Sequence, residues 1–240
     1  MSTDPLVLMV EVDRATQRVL DAVAGLDDSV VTTRSLLPGW SRGQVLTHLA
    51  RNADSYVRLL TWASTGEHTP QYRDMAERDL EIEAGAGRPI AEQLGDLRDS
   101  AARLADAVAA MPTGAWSAVV RTISGRDRPA AQLIWGRLRE LEVHHVDLNI
   151  GYTFTDWTDA FAQRLLREVA TDLARHHGAE PMTLRAPELG HDLAIGETAG
   201  APVITGPAHT LAAWLTGRSD GKDLTVTPDG RPLPLTPNWM

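Results

Sequence analysis

The sequence predicts an α+β protein: an N-terminal four-helix bundle over residues 1–152, followed by a small α/β domain over residues 153–240. Three observations predict it. Through the first two thirds of the chain, apolar residues recur at three- and four-residue intervals with few β-branched runs, which is the period of amphipathic helices. The same region carries capping and breaking residues where helices should start and stop. After Gly151 the texture changes to short alternating segments separated by Gly and Pro, as the strands and turns of a compact sheet require. A chain of 240 residues with 43% hydrophobic side chains can bury a core in each part.

The first helix is expected from Pro5 to Leu26, with Leu6, Val10, Leu20 and Val23 among its core-facing positions. Ser41 is a good N-cap for the second, and Gln44 three residues later can return a bond to the Ser41 backbone. That helix should run to Ser64, where Thr65-Gly66 ends it, with Leu46, Leu49, Ala53, Tyr56 and Leu60 as its inward stripe. A long connection follows through His68, Pro70, Tyr72, Arg78 and Gly85-Ala86-Gly87; connections of this length usually cover a functional surface, so it is a candidate lid. Pro89 opens the third helix, to Met111, and the fourth runs from Ala130 to Ile150 with Gly151 closing it.

A fifth helix from Asp156 to His177 leads into the second domain. Strands are expected over Met182–Arg185, Asp192–Ile195 and Pro202–Thr205, a short helix over Pro207–Thr216, and a last strand and turn over Leu224–Gly230.

The net charge of −9, from 32 acidic against 23 basic residues, gives no domain-wide positive field to attract nucleic acid or anionic lipid. No basic segment leads into an apolar run at the start, and no stretch approaches the roughly 18 apolar residues of a membrane span, so a cytoplasmic protein is expected. A monomer is expected. There is no cysteine, which removes disulfides, zinc ribbons and thiol nucleophiles from consideration and fits a reducing compartment.

On the fourth helix, Leu133, Ile134, Leu138, Leu141 and Leu148 define an apolar face, and Glu140 and His144 stack along one edge of it. Glu142 falls on the opposite, solvated side, and His145 is expected to pack beneath the bundle. On the second helix, His48 and Asn52 stack at the flank of the inward stripe. In an antiparallel bundle two such flanks can face each other, so His48, Glu140 and His144 could converge on one metal ion. Two imidazoles and one carboxylate leave a tetrahedral position open, the arrangement of a catalytic zinc site. The bland alternative is a helix-surface Glu/His pair and a hydrogen-bonded core histidine. Arg218, at the end of the short helix of the second domain, can cap terminal carbonyls or clamp a carboxylate with a two-pronged hydrogen bond. Trp40, Trp62 and Trp135 are expected in cores or interfaces, and Tyr72 and Arg78 in a solvated loop.

The segment Leu37-Pro38-Gly39-Trp40-Ser41-Arg42 running into Thr47-His48-Leu49-Ala50-Arg51-Asn52-Ala53 resembles the second helix of mycothiol-dependent maleylpyruvate isomerases, which belong to the DinB-like metal-bearing helical bundles. Glu140 through His144-His145-Val146-Asp147-Leu148 resembles their second ligand segment. The likeness continues through Thr65-Gly66-Glu67, Thr69-Pro70, Tyr72, Arg78, Ile82 and Gly85, and returns at Gly217-Arg218 with Ser219-Asp220-Gly221.

The resemblance implies a DinB-like bundle in which His48, Glu140 and His144 bind zinc and Arg218 is needed for activity. It implies cis–trans isomerisation of maleylpyruvate to fumarylpyruvate in gentisate breakdown, with mycothiol as thiol cofactor. In that chemistry the metal lowers the pKa of the cofactor sulfur, thiolate adds to the activated double bond, and rotation and elimination follow. The missing cysteine is consistent with a borrowed nucleophile. A mycothiol S-transferase acting on another electrophile and a non-enzymatic metal- or ligand-binding protein are the alternatives.

Overall fold

The structure is a computed structural model that describes residues 3–175, 178–236 and 239. It divides into two compact units, the first ending at Tyr152 and the second beginning at Thr153. The first unit contains helices α1 (Pro5–Val23), α2 (Arg42–Thr65), α3 (Met75–Ala86), α4 (Ile90–Ala109) and α5 (Ala131–Asp147). A two-stranded antiparallel hairpin, β1 (Val119–Arg121) with β2 (Asp127–Pro129), stands between α4 and α5. The helix α2 packs against α3, α4 and α5, while α1 packs against α4 and α5.

Capping sets the ends of α2. The Ser41 side chain accepts from the Gln44 backbone, Gln44 accepts from the Ser41 backbone, and Gly66 closes the helix in the left-handed region at φ 76°. The first turn of α2 also caps another helix: the Arg42 guanidinium donates to the carbonyls of Leu148 and Asn149 beyond the end of α5. The Leu148 carbonyl, at the C-cap of α5, is among those a helix C-terminus leaves without intrahelical partners. The start of α2 is thereby tied to the end of α5, and the two helices run antiparallel.

The second unit contains α6 (Asp159–Leu173), β3 (Met182–Arg185), β4 (Leu193–Ile195), β5 (Val203–Thr205), α7 (Ala208–Leu215) and β6 (Thr225–Thr227). Its sheet has the order β4-β3-β5-β6, with β3 and β5 parallel and the other pairs antiparallel. Met182, Leu184, Ile195 and Ile204 are buried strand residues, and α6 packs against α7 and β4. The helix α6 begins at Asp159 and ends at Leu173, with Ala174 as its C-cap, inside the expected span from Asp156 to His177; His177 itself lies outside the described residues. No helix among the described residues is long and apolar enough to cross a membrane.

Several expectations are corrected. In α1, Leu6 and Val10 are exposed, and the buried stripe is Leu8, Val12, Ala15, Val19 and Val23. The first two turns are apolar nearly all round, so their pattern does not choose a face; the polar residues further along, Glu11, Asp13, Arg14 and Gln17, settle it. The long connection contains α3, which Asp74 caps by accepting from the Glu77 backbone while Glu77 accepts from the Arg73 backbone. The pair Asp74 and Glu77 has the spacing of a capping signal. The helix α5 stops at Asp147, with Asn149 at φ 52°. Finally, Glu142 is buried, because α1 covers that side of α5 and Arg18 of α1 pairs with its carboxylate.

Candidate metal centre

The antiparallel register of α2 and α5 brings three predicted residues together. His48 lies near the start of α2, and Glu140 and His144 lie one turn apart near the end of α5. The His48 Nε2 atom is 3.1 Å from Glu140 Oε2, and His144 Nε2 is 3.3 Å from the same oxygen. One donor atom from each residue falls within 4.8 Å of the other two, and the imidazoles meet edge to face at 4.8 Å between centroids.

These separations suit a metal. Four ligands placed tetrahedrally at 2.0–2.1 Å from an ion stand about 3.3 Å from one another. The donor set of two imidazole nitrogens and one carboxylate oxygen matches a divalent ion such as zinc. With three protein donors, a tetrahedral ion keeps one position for an exogenous ligand.

Electrostatics within the cluster are polarised. Burial by itself would raise the Glu140 pKa, but hydrogen bonds from His144 and His48 hold it well below the ordinary carboxylate range. His48 is driven down to about 4, first by burial and then by the neighbouring charges of His144 and Arg78, against the hydrogen bond to Glu140. His144 moves up despite its burial, because Asp147 and Glu140 both hydrogen-bond its protonated form. An acceptor-only Glu140 therefore receives the Nε2–H of His48, whose Nδ1 is left as an acceptor.

Two residues join the cluster that spacing alone did not assign to it. Asp147, 1% exposed, lies 2.8 Å from His144 Nδ1 through Oδ2, the outer carboxylate that orients a metal-binding imidazole. Its position three residues after His144 puts it on the same helix face, a signal the sequence did contain. Arg78 is the second, carried by α3 rather than by a solvated loop. Its guanidinium is 3.4 Å from His48 Nδ1 and lies over the Trp40 ring at 5.6 Å, while Trp40 meets His48 edge to face.

Below the cluster, Arg137 is buried between α2 and α5, where it donates to the Leu49 carbonyl at 2.7 Å and to Asn52 Oδ1 at 2.8 Å. Burial pushes its pKa down to about 10, with the Glu140 charge opposing, so it stays cationic at neutral pH. His145 stacks flat on Tyr152 at 3.9 Å, away from the ligand set, and Tyr152 donates to Glu142. Tyr72 is buried with Arg58 over its ring at 5.0 Å. A cavity of about 730 Å³ opens between the 68–75 segment and the hairpin, lined by Trp62, His68, Tyr72 and Val119 among others. None of the three cluster residues lines it, and Trp62 stands roughly 21 Å along α2 from His48 at the α-helical rise.

Arg218 belongs to the second unit. It follows α7, its backbone N–H donates to the Ala213 carbonyl at 2.7 Å, and its guanidinium donates to the Thr216 carbonyl. A capping contact is thus present.

Residues 12–149 match a family described as the mycothiol maleylpyruvate isomerase N-terminal domain. Among solved structures, the chain is similar to the crystal structure of the mycothiol-dependent maleylpyruvate isomerase, with a TM-score of 0.89 and 26% identity over 97% of this chain and 96% of that chain. A histidine-to-alanine mutant of that isomerase matches with a TM-score of 0.89 at 26% identity. No curated protein sequence matches.

Proposed function

Because the chain belongs to the mycothiol maleylpyruvate isomerase N-terminal domain family, we propose that it is a mycothiol-dependent isomerase converting maleylpyruvate to fumarylpyruvate in gentisate breakdown. The observation that carries this reading is the convergence of His48, Glu140 and His144 on one point, with Asp147 behind His144. We assign these three residues to a zinc ion. When bound, that ion supplies a position that keeps a mycothiol sulfur as thiolate at neutral pH, the nucleophile for reversible addition to the substrate double bond.

The chain's own residues have distinct tasks. Glu140 neutralises part of the ion's charge and is held ionised for it by its neighbours. Asp147 keeps the His144 proton on Nδ1, so that Nε2 presents a lone pair to the ion. His48 completes the donor set from the opposite helix. Arg218 is assigned as a guanidinium required for activity that holds a substrate carboxylate. No side chain of the protein can replace the cofactor as thiol nucleophile, because the sequence contains no cysteine.

The test is direct. The zinc-loaded protein should convert maleylpyruvate only when mycothiol is present and return the thiol unconsumed, as followed by product analysis. Alanine at His48, Glu140 or His144 should remove zinc and turnover together while leaving the helical content intact. Equal turnover without thiol refutes the reading, and a stable thiol adduct as sole product would instead indicate an S-transferase.

A further inference from the structure

Arg137 is the side chain near the donor cluster that core packing explains least. It is 1% exposed, yet among the described residues no carboxylate pairs with it, and its Nε and Nη2 have no hydrogen-bond partner within the protein. Burying a guanidinium without a counter-ion costs far more than burying an apolar side chain of similar size. Its engaged atom, Nη1, makes both of its contacts to α2, at the Leu49 carbonyl and Asn52 Oδ1.

Those acceptors lie level with the cluster. Leu49 follows His48 in α2 and Asn52 stands one turn beyond it, while Arg137 precedes Glu140 by about one turn of α5. On the other side of the cluster the direction is reversed, because Arg42 of α2 donates to the carbonyls of Leu148 and Asn149 that follow His144 in the chain. Each helix therefore sends a guanidinium to the backbone of the other, and His48, Glu140 and His144 lie between the two ties. Further along the seam a Cβ on Gly136 would fall 2.6 Å from the Tyr56 hydroxyl oxygen. That contact meets the end of a side chain, whereas the Arg137 bond to the Leu49 carbonyl holds the main chain of α2 itself.

The separation that results is the one a small ion needs. His48 Nε2 and His144 Nε2 stand 3.1 Å and 3.3 Å from Glu140 Oε2, against about 3.3 Å between ligands placed tetrahedrally round zinc. Ligands round a larger ion stand further apart. Since His48 is on α2 and the other two donors are on α5, a larger ion pushes the helices apart against the Arg137 tie. We propose that Arg137 is a positioning residue of the metal centre: by holding the backbone of α2 beside His48, it keeps the three donors at the spacing of a small tetrahedral ion and selects against larger ones. This rests on the assignment of the cluster as a metal site.

The experiment measures affinities for zinc and for the larger cadmium ion by chelator competition on the full chain, with far-ultraviolet circular dichroism to establish folding. Comparing each variant's zinc-to-cadmium ratio with that of wild type cancels the intrinsic preference of the donor set. Arg137→Met keeps an unbranched side chain but removes the tie, and should bind zinc roughly tenfold more weakly. Cadmium should be affected less, so the ratio falls several-fold. Arg137→Lys, which keeps a charged donor without the planar fork, should recover part of the ratio. Asn52→Ala removes one of the two acceptors and should shift the ratio in the same direction by less; it carries the test if the methionine variant does not fold. A merely structural tie would lower both affinities together. Unchanged affinities in folded Arg137→Met, equal losses for the two ions, or an unchanged ratio in Asn52→Ala overturn the proposal while leaving the isomerase reading intact. Failure of wild type to bind zinc overturns both.

Discussion

Replacing Asp147 tests how far the metal site depends on a residue that never touches the ion. Its Oδ2 lies 2.8 Å from His144 Nδ1, and its side chain is 1% exposed, so the contact is desolvated and charged. Asp147→Asn preserves the shape and can still accept the Nδ1 hydrogen, but removes the negative charge that raises the basicity of His144. Outer carboxylates of this kind typically contribute about 10- to 100-fold in metal affinity, which is about 1.4 to 2.7 kcal/mol. The buried, single-bond geometry places the Asn variant toward the lower end and Asp147→Ala, which leaves Nδ1 without this acceptor, toward the upper. The assay is zinc affinity by chelator competition, with far-ultraviolet circular dichroism to establish that α5 is formed. Zinc affinity within twofold of wild type in both folded variants would refute the argument that Asp147 orients and charges His144.

Other consequences are as specific. Arg218→Ala should leave zinc bound and cost about 2 to 5 kcal/mol in kcat/KM, with Arg218→Lys recovering part; near-wild-type kcat/KM would return Arg218 to helix capping. For apoprotein, His48 has a folded pKa of about 4 against an ordinary 6.5, so its stabilising contribution is full above 6.5 and is lost as pH falls toward 4. His144 is shifted upward, so its contribution is full below 6.5 and is lost as pH rises through its folded value. Urea midpoints of the metal-free protein should therefore decline on both sides of that pH, and an unchanged acid limb in apo His48→Ala would count against the His48 part. Gly43→Ala should destabilise by about 1 to 3 kcal/mol in urea titration, because its Cβ would meet a backbone oxygen at 1.9 Å that cannot turn aside; an unchanged midpoint would show that α2 and α3 separate freely.

Much of the architecture is legible locally. The Ser41/Gln44 capping box and the Gly66 stop delimit α2 in the sequence because both depend on residues within one helical turn of each end. The stack of Glu140 on His144 follows from helical spacing, and the strands of the second unit follow from alternation between turn residues. The inward stripe of α2 was equally readable, since each of its five positions is buried.

Periodicity reports which residues share a face, but not what comes to lie against that face. The apolar start of α1 does not choose a face by itself, and the side that α4 and α5 cover is the one opposite Asp13, Arg14 and Gln17 further along the helix. Glu142 reads as solvated on an isolated wheel and is buried because α1 brings Arg18 to it. The approach of His48 to Glu140 depends on the antiparallel register of α2 and α5, which Arg42 secures at carbonyls more than a hundred residues away in the chain. Arg78 reaches His48 only because glycines at 43 and 85 let α3 lie close to α2. The sequence by itself determined the helices, their caps and the residue types able to hold an ion. Tertiary packing decided which of those residues meet, because a contact between distant segments is set by the surfaces that exclude water together rather than by the spacing within either one.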